Sequence, residues 1–332
     1  MRIKNIFTKR TYEHASFWDL VYEWEDVLCH ELGASLKNES KVFDKKLKGI
    51  PFAYSLETKG QPSLCFQMGS EIVPKNLRFL QCIFGLRAKN ISHVVPCIID
   101  FWETEDDLAA FRSAYSHNKV VLVSSIEACA FLRAHGCASN VAHWPLSLPD
   151  KYAIKPDTKF VKQYDLALMG RQNPLLEEFL NTYIKLHPNF VYAYKKKEDG
   201  HFNYYTNKGV FVGNADSREG YFNIMHGAKV GLYATPGLDN KDGANGYNQI
   251  TPRFLELISS GCHIIARYKN NEEAKFWEID KFSPSIETYD DFEKCLDSAL
   301  AKPVDMDFYS SYLSRHYTSI RAKQLKEILK TI

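Results

Sequence analysis

Short apolar runs alternate with amphipathic helical patterns along most of the chain. The runs, which we predict to be buried strands, lie at residues 3–7, 64–68, 94–101, 120–124, 164–169, 190–194, 209–212, 230–233 and 262–266. The helical patterns lie at residues 17–32, 108–114, 125–135, 174–187, 217–226, 252–260, 289–300 and 310–329. Alternation on this scale predicts an α/β fold, with mostly parallel sheets that are covered by helices on both faces.

A proline-bounded segment at residues 145–156 separates two such series of elements. A length of 332 residues is also typical of two domains rather than one. We therefore predict an N-terminal Rossmann-like domain at residues 1–150 and a C-terminal one at residues 151–332. Ligands of open α/β sheets bind beyond the carboxyl ends of the strands, so we expect the functional residues to lie there.

Composition narrows the class of protein. Hydrophobic residues make up 45% and charged residues 25% of the chain, as in ordinary globular proteins. The net charge of +2 gives no strong nucleic-acid footprint. None of the eight cysteines forms a C-x-x-C pair, and most lie in apolar runs, which favours reduced, buried thiols.

No signal-peptide core or transmembrane-length stretch is found, so we expect a cytoplasmic protein. Basic clusters lie at residues 155–162 and 195–197. Such clusters are usually solvated surface, and they also suit a peripheral contact with the inner face of an anionic membrane.

The most informative segment follows the apolar run at residues 230–233. Thr251 suits the N-cap of a helix, Pro252 suits its first position, and Gly261 suits its end. Free N–H groups at a helix start attract an anion, and Arg253 would add positive charge there. Glu256 lies on nearly the same helical face and can accept hydrogen bonds from ribose hydroxyls. The segment therefore predicts a nucleotide-diphosphate site, although Arg253 and Glu256 are also compatible with a merely solvated first turn.

The surrounding pattern resembles the C-terminal donor-binding half of GT-B glycosyltransferases of the "glycosyl transferases group 1" type. The resemblance lies in the glycine-rich loop at residues 236–247, the Arg-Phe-Leu-Glu run at 253–256 and the Ser-Ser-Gly-Cys turn at 259–262. It extends over about residues 164–330. It implies two Rossmann-like domains that face each other across a cleft, with the acceptor bound by the first domain and the donor by the second. It also implies that the last helix crosses back to the first domain.

The same resemblance implies roles for several residues. Glu256 would bind the nucleotide ribose, and Arg253 or the helix start would meet the diphosphate. Gly170 and Arg171 follow the strand at 164–169, where a glycine lets a ligand approach the backbone and an arginine can pair with a diphosphate. Gly213 would lie near the nucleotide base, unless residues 213–216 form an ordinary turn.

One position departs from the family pattern. Many retaining members carry two glutamates eight positions apart, and the first of these positions is Asn248 in this chain. Asparagine cannot carry the negative charge, so the stereochemical outcome stays open. Asn248, Gln249 and Thr251 are predicted to contact the donor sugar or phosphate.

The catalytic base has two candidates. Asp100 ends a strand of the first domain, and His14 lies in the loop after the first strand. Each also has a structural interpretation, since Asp100 can cap the next turn and a lone histidine is usually structural or solvated. The acidic run at residues 103–107 is interpreted as a helix start with favourable charge, not as a metal site.

We therefore predict no metal site and no cofactor beyond a nucleotide-diphosphate sugar as the donor substrate. Positive charge from Arg171, Arg253 and the helix start would stabilise the leaving diphosphate. The predicted function is transfer of a sugar to a hydroxyl of a glycan or lipid-linked glycan, in a surface-polysaccharide pathway. Two alternatives stay open: a nucleotide-sugar 2-epimerase, and a non-catalytic glycosyltransferase-like binding subunit.

Overall fold

The computed structural model describes residues 1–38, 60–68, 92–137, 140–239 and 244–332. The chain divides into two compact units. Unit 1 comprises Met1–Asp150 together with Tyr317–Ile332, and unit 2 comprises Lys151–His316. Each unit contains a six-stranded sheet, and we number strands and helices along the described residues.

The sheet of unit 1 is entirely parallel within the described residues. Its strands are β1 (Asn5–Thr8), β2 (Ser35–Asn38), β3 (Ser63–Gln67), β4 (Val94–Ile98), β5 (Val121–Val123) and β6 (Val141–His143). They lie in the order β2-β1-β3-β4-β5-β6. All residues of β1, β3, β4 and β5 are buried, as expected for a sheet that is covered on both faces.

The helices of unit 1 are α1 (Ser16–Leu32), α2 (Leu108–Tyr115), α3 (Ile126–Ala134) and α10 (Thr318–Lys330). A short 3-10 helix, Glu105–Asp107, precedes α2. Strand β2 is absent from the sequence prediction, because all four of its residues are exposed and show no apolar pattern. It forms at the edge of the sheet through its backbone pairing with β1.

The sheet of unit 2 is mixed. Its strands are β7 (Tyr164–Ala167), β8 (Tyr192–Glu198), β9 (His201–Thr206), β10 (Phe211–Asn214), β11 (Ala228–Ala234) and β12 (His263–Arg267). They lie in the order β10-β9-β8-β7-β11-β12, and β9 runs in the direction opposite to the other five strands. Helices cover this sheet around a core that includes Leu166, Leu180, Val230 and Phe292.

The helices of unit 2 are α4 (Pro174–Leu186), α5 (Arg218–Gly227), α6 (Arg253–Ser259), α7 (Glu272–Phe276), α8 (Tyr289–Ala301) and α9 (Met306–Leu313). Two predicted starts are confirmed in detail. The Ser217 hydroxyl accepts from the backbone N–H of Gly220 at the start of α5, and Pro174 opens α4.

Two predictions about elements were wrong. The expected strand pair at 190–194 and 209–212 is a three-stranded meander, β8-β9-β10. Asp199 and Gly200, both with positive φ, make the tight turn between β8 and β9. The sequence analysis misses the second half of β8, because the lysines at residues 195–197 are exposed and polar.

The single helix expected at 310–329 is two helices, α9 and α10. The backbone is extended at Tyr317, with φ −71° and ψ 155°. The two helices belong to different units, so each buries its own apolar residues in its own core. The pattern of apolar residues continues across this break, which is why the sequence suggests one helix.

Strand order places a switch point in each sheet. In unit 2, the chain moves from β7 to β8 on one side and reaches β11 on the other. In unit 1, β1 has β2 on one side and β3 on the other. The carboxyl ends of such central strands form the usual binding crevice of open α/β sheets. A binding site in unit 2 is therefore expected at the segments that follow β7 and β11.

Helix α6 lies close against β11. A side chain on Gly231 would overlap the Leu257 side chain, so only glycine lets the helix approach this far. The helix ends where the sequence predicts, at Gly261, which has φ 60°. The backbone N–H of Cys262 donates to the Leu257 carbonyl, and the backbone N–H of Gly261 donates to the Ile258 carbonyl. These contacts fix the start of α6 over the carboxyl edge of the sheet.

Within the described ranges, no helix is both long and apolar enough to cross a membrane.

The approach of α6 to the sheet can be tested at Gly231. We expect Gly231→Ala to lower the free energy of unfolding by about 1–3 kcal/mol, because the new methyl group overlaps Leu257. Urea denaturation measures this loss. In a Leu257→Ala background the overlap is absent, so the same substitution should cost much less. An equal loss in both backgrounds would contradict the proposed packing.

Candidate functional site

The turn after β7 is built around one glycine. Gly170 has φ 64°, a conformation that L side chains rarely adopt. A Cβ at this position would overlap the Arg253 guanidinium, which lies directly against the glycine backbone. Arg253 Nη1 donates a hydrogen bond of 2.8 Å to the Arg171 carbonyl. The first residue of α6 is thus attached to the turn that follows β7.

The Arg253 guanidinium is only partly used. Its Nε is buried and has no hydrogen-bond partner among the described residues. A buried N–H without a partner is rare in folded proteins, and a ligand or water commonly explains it. The neighbouring Arg171 side chain is exposed, so its positive charge is available beside this group.

Glu256 lies one turn further along α6 and is 4% exposed. Arg218, the first residue of α5, donates from Nη1 to Glu256 Oε1 at 2.7 Å. The other oxygen, Oε2, has no hydrogen-bond partner in the described part of the chain. The carboxylate is therefore held in place by one arginine and keeps one oxygen that can accept a hydrogen bond.

The Arg218 guanidinium is itself fixed by aromatic rings. It lies 5.1 Å from the ring centre of Phe222, 5.6 Å from that of Tyr152 and 5.7 Å from that of Tyr221. Sequence reasoning did not select Arg218. Its position directly after the N-cap Ser217 places it at the start of α5, but no local pattern indicates its contact with Glu256.

Two tyrosines complete the cluster, and sequence reasoning also missed them. The Tyr204 hydroxyl donates to the Leu168 carbonyl at 3.3 Å and so supports the turn after β7. Burial raises the pKa of Tyr221, with a smaller contribution from the negative charge of Glu256. Burial raises the pKa of Tyr204 as well. Both phenols therefore stay neutral near the arginines.

The glycine-rich loop is closed on itself at its base. A Cβ on Gly237 would overlap the Tyr247 carbonyl oxygen, so the two ends of the loop lie in backbone contact. Asp239 accepts two hydrogen bonds from Arg267, of 2.6 and 2.9 Å. The Arg267 guanidinium lowers the pKa of Asp239. Gly243 lies outside the described residues.

The segment after this loop carries three predicted donor contacts in different environments. The Asn248 side chain accepts from the Thr235 hydroxyl at 2.9 Å and donates to the Gly246 carbonyl at 2.8 Å. Gln249 is 2% exposed, and neither atom of its amide has a partner in the described ranges. Asn248 thus holds the loop, whereas Gln249 has unused hydrogen-bonding capacity.

The predicted N-cap at Thr251 is wrong. Helix α6 begins at Arg253, with Pro252 before it, and no side chain caps the helix start. The Thr251 N–H instead donates to the Tyr233 hydroxyl at 3.1 Å. Burial raises the pKa of Tyr233 to about 12. The tertiary contact with β11 replaces the local cap that the sequence suggests.

Gly213 lies within β10 rather than after it, because β10 ends at Asn214, so the predicted turn at 213–216 begins two residues later than expected. A Cβ at Gly213 would make only an ordinary contact, 3.5 Å from Ile224. Gly220 has the stricter requirement, because a side chain there would overlap the Asn214 carbonyl oxygen. The start of α5 is thereby held against the end of β10, which positions Arg218.

Two arginines of the unit 2 cluster are not neutralised by the residues that the structure describes. Arg171 and Arg253 form no ion pair with a carboxylate there, whereas Arg218 pairs with Glu256. Guanidinium groups pair with phosphate oxygens in bidentate geometry. The chemistry of this group of residues therefore suits a multiply charged anion.

In unit 1, His14 lies in the loop between β1 and α1, next to the switch point, and is exposed. The loop is fixed by Arg10, which donates to Glu25 at 3.1 Å and to Asp26 at 2.9 Å. Glu25 is 1% exposed, and burial raises its pKa to about 7 despite the hydrogen bonds from Thr8 and Arg10. Sequence reasoning overlooked Glu25 because it lies within an amphipathic helix.

The predicted strand at 94–101 is shorter than expected, since β4 ends at Ile98 and Asp100 is the second residue after it, with φ 56°. Nearby, the Thr104 hydroxyl and Asp107 form a capping box at the start of the short 3-10 helix. The prediction that this acidic run starts a helix is confirmed. Burial raises the pKa of Glu103 to about 7, and the negative charge of Asp107 adds to the shift.

No group of three or more metal-binding side chains is found within the described ranges. No disulfide joins the seven cysteines there.

Comparison with known proteins identifies the fold. No family model matches the sequence, and no curated protein is significantly similar to it. The GtfA/B complex gives a TM-score of 0.51 at 9% identity, over 84% of this chain and 59% of that chain. This chain therefore spans less than two thirds of that neighbour's length.

Two other solved structures cover more of their own length. The UDP-GlcNAc 2-epimerase from Methanocaldococcus jannaschii gives a TM-score of 0.48 at 9% identity, over 100% of both chains. AviGT4, a glycosyltransferase involved in avilamycin A biosynthesis, gives 0.48 at 10% identity, over 84% of this chain and 87% of that one. At such identities the likeness shows the fold alone. The predicted class, α/β with two Rossmann-like units, is confirmed.

The buried pair of Arg218 and Glu256 can be tested by stability. We expect Arg218→Met to lower the free energy of unfolding by about 3–5 kcal/mol, because it leaves the Glu256 carboxylate buried without its partner. Chemical denaturation measures the loss. The double variant Arg218→Met, Glu256→Gln should recover most of it, since no buried charge then remains. A double variant no more stable than the single one would refute this account.

Glu25 predicts a pH dependence of stability. Its folded-state pKa of about 7 exceeds its unfolded value, so the folded state binds the proton more tightly. The contribution of this proton to the free energy of unfolding is full below the unfolded pKa of Glu25. It is lost as the pH rises towards 7, by up to about 3 kcal/mol. Denaturation between pH 5 and 8 should show the decline, and Glu25→Gln should flatten it. The more exposed Glu103 should remove less of the slope when changed to glutamine. An unchanged slope in Glu25→Gln would rule out this assignment.

Proposed function

We propose that this chain is a nucleotide-sugar-dependent glycosyltransferase, and that unit 2 binds the nucleotide-diphosphate donor. The observation that carries the proposal is the Arg253 guanidinium at the switch point. It lies against Gly170, is bonded to the Arg171 carbonyl, and has a buried Nε without a partner among the described residues. A diphosphate oxygen is the acceptor that this donor lacks.

The positive charge of the arginines supports a diphosphate as the ligand. Arg171 and Arg253, which have no carboxylate partner among the described residues, match a group that carries several negative charges. In the reaction, bond cleavage at the sugar leaves an additional negative charge on the diphosphate. We propose that Arg171 and Arg253 stabilise that charge, because the Arg253 guanidinium is already fixed on the Arg171 carbonyl and needs little reorganisation.

The Glu256 carboxylate supports a nucleoside as the other part of the ligand. Arg218 holds Glu256 through Oε1, and Oε2 has no partner in the described chain, so it can accept a ribose hydroxyl. Gln249 has a buried amide without partners in the same segment between β11 and α6. We propose that Gln249 contacts the donor sugar or phosphate, as the sequence predicts, and that Asn248 contributes by holding the loop.

Unit 1 is proposed to bind the acceptor, a hydroxyl-bearing glycan or lipid-linked glycan. Asp100 and His14 stay the predicted candidates for the base. We add Glu103, because a carboxyl with a pKa near 7 is closer to the ideal for a general base at neutral pH. A role in surface-polysaccharide synthesis rests on the sequence resemblance alone.

A nucleotide panel tests the donor site. We expect one of UDP, GDP, CMP, dTDP and ADP to raise the melting temperature, because a ligand that binds only the folded state stabilises it. Arg171→Ala and Arg253→Lys should each weaken binding by about tenfold or more in calorimetry, since each loses a charge-assisted hydrogen bond. Lys269→Ala, at an exposed position of unit 2, is the control and should bind normally.

The reaction is then tested with the matching nucleotide sugars. A transferase incubated without acceptor should leave the donor intact or hydrolyse it slowly, with the configuration at C2 retained. Conversion at C2 without acceptor would replace the transferase by the 2-epimerase. If no nucleotide raises the melting temperature, the donor site is wrong and the non-catalytic alternative takes its place.

A further inference from the structure

A second concave site lies at the opposite edge of the unit 2 sheet. Its walls come from the segment before β7, the first residues of β11 and β12, and the end of α8 with the residues that follow. It has a volume of about 490 Å³, which is in the range of small-molecule sites. The candidate donor site lies at the carboxyl edge of the same strands, so the two sites share no lining residue among those named above.

The lining of this cavity combines two kinds of chemistry. Its apolar surface includes Phe160, Leu300, Val304 and Met306. Its charged groups are lysines alone, with no aspartate or glutamate among the lining residues, and they are Lys159, Lys162, Lys229 and Lys302. The cavity therefore has an apolar wall beside a strongly positive one.

Most of this positive charge is not neutralised by carboxylates of the described residues. Lys229 pairs with Asp165 at 2.9 Å. Within the described part of the chain, Lys159, Lys162 and Lys302 have no carboxylate partner at ion-pair distance. Three cations thus face a concave apolar surface without a counter-ion.

Lys162 shows how confined this charge is. Its ammonium donates to the Ser260 carbonyl at 2.9 Å and lies 5.1 Å from the centre of the Phe160 ring. Burial lowers the pKa of Lys162, because the charged form has lost part of its hydration. A bound anion would replace that hydration with a direct ionic contact.

We propose that this cavity binds an anionic amphiphile, with its phosphate or carboxylate head on the lysines and its alkyl chain against the apolar wall. A free inorganic anion would leave the apolar wall exposed to water, and an uncharged apolar ligand would leave the cations unpaired. The volume suits a single small molecule or one lipid chain rather than a folded partner. This inference is independent of the proposed transferase activity.

Calorimetry with n-octyl phosphate, below its micelle concentration, tests the site. We expect n-octyl phosphate to bind at least about tenfold more tightly than either inorganic phosphate or n-octanol, because only it uses both walls. Lys159→Glu and Lys302→Glu, both at exposed positions, should each weaken binding by about tenfold. Ala301→Trp, also exposed and in the cavity wall, should weaken it by filling the space.

Lys155→Glu is the matched control, since Lys155 is exposed in the same segment but lies outside the cavity. It makes the same change in net charge and should leave the affinity unchanged. The proposal is overturned if n-octanol binds as tightly as n-octyl phosphate, or if Lys155→Glu weakens binding as much as Lys302→Glu.

Vesicle sedimentation separates the two sources of such a ligand. Binding to phosphatidylglycerol vesicles but not to phosphatidylcholine vesicles, with displacement by n-octyl phosphate, would support the site and assign it to a membrane lipid. Binding of n-octyl phosphate without vesicle binding would support a free amphiphile. Vesicle binding that persists in Ala301→Trp and resists n-octyl phosphate would place the membrane contact elsewhere and overturn the assignment to this cavity.

Discussion

The contact between the Arg253 guanidinium and the backbone of Gly170 organises the candidate site. It joins the first residue of α6 to the turn after β7, two segments that are far apart in sequence. Gly170 leaves room for the Arg253 guanidinium. Gly231 leaves room for Leu257 on the same helix, so that α6 lies close to β11, and Gly261 ends that helix.

The site is arranged so that its polar groups are only partly satisfied by the protein. Arg218 and Glu256 pair with each other, which makes the burial of both charges tolerable. Arg253 Nε and the Gln249 amide are buried without a partner in the described chain, which costs stability as long as no ligand binds. Donors that are already fixed need little reorganisation when a ligand arrives. The Arg218–Glu256 ion pair therefore stabilises the site, whereas Arg253 Nε and the Gln249 amide remain available to a ligand.

Sequence reasoning succeeded where the signal is local. The caps at Ser217 and Gly261 depend on residues a few positions apart, and the structure confirms both. It failed where tertiary contacts decide. The Thr251 N–H bonds to Tyr233 instead of allowing Thr251 to cap the helix. Arg218 reaches Glu256 across 38 positions, and nothing local in the sequence indicates that contact. The exposed strand β2 and the exposed lysine-rich half of β8 form through backbone pairing, which polar sequences do not reveal.

Helix α6 relates the two edges of the unit 2 sheet. It begins at Arg253, in the candidate donor site, and Gly261, just beyond its end, lines the lysine-rich cavity. Seven helical residues span only about 10 Å. Leu257, between the two ends, packs directly against Gly231 of β11. In so short a helix, a displacement of Gly261 by a ligand would be passed on to Arg253. By linkage, any such effect must be reciprocal, so a ligand at the arginines would change the affinity of the cavity by the same factor.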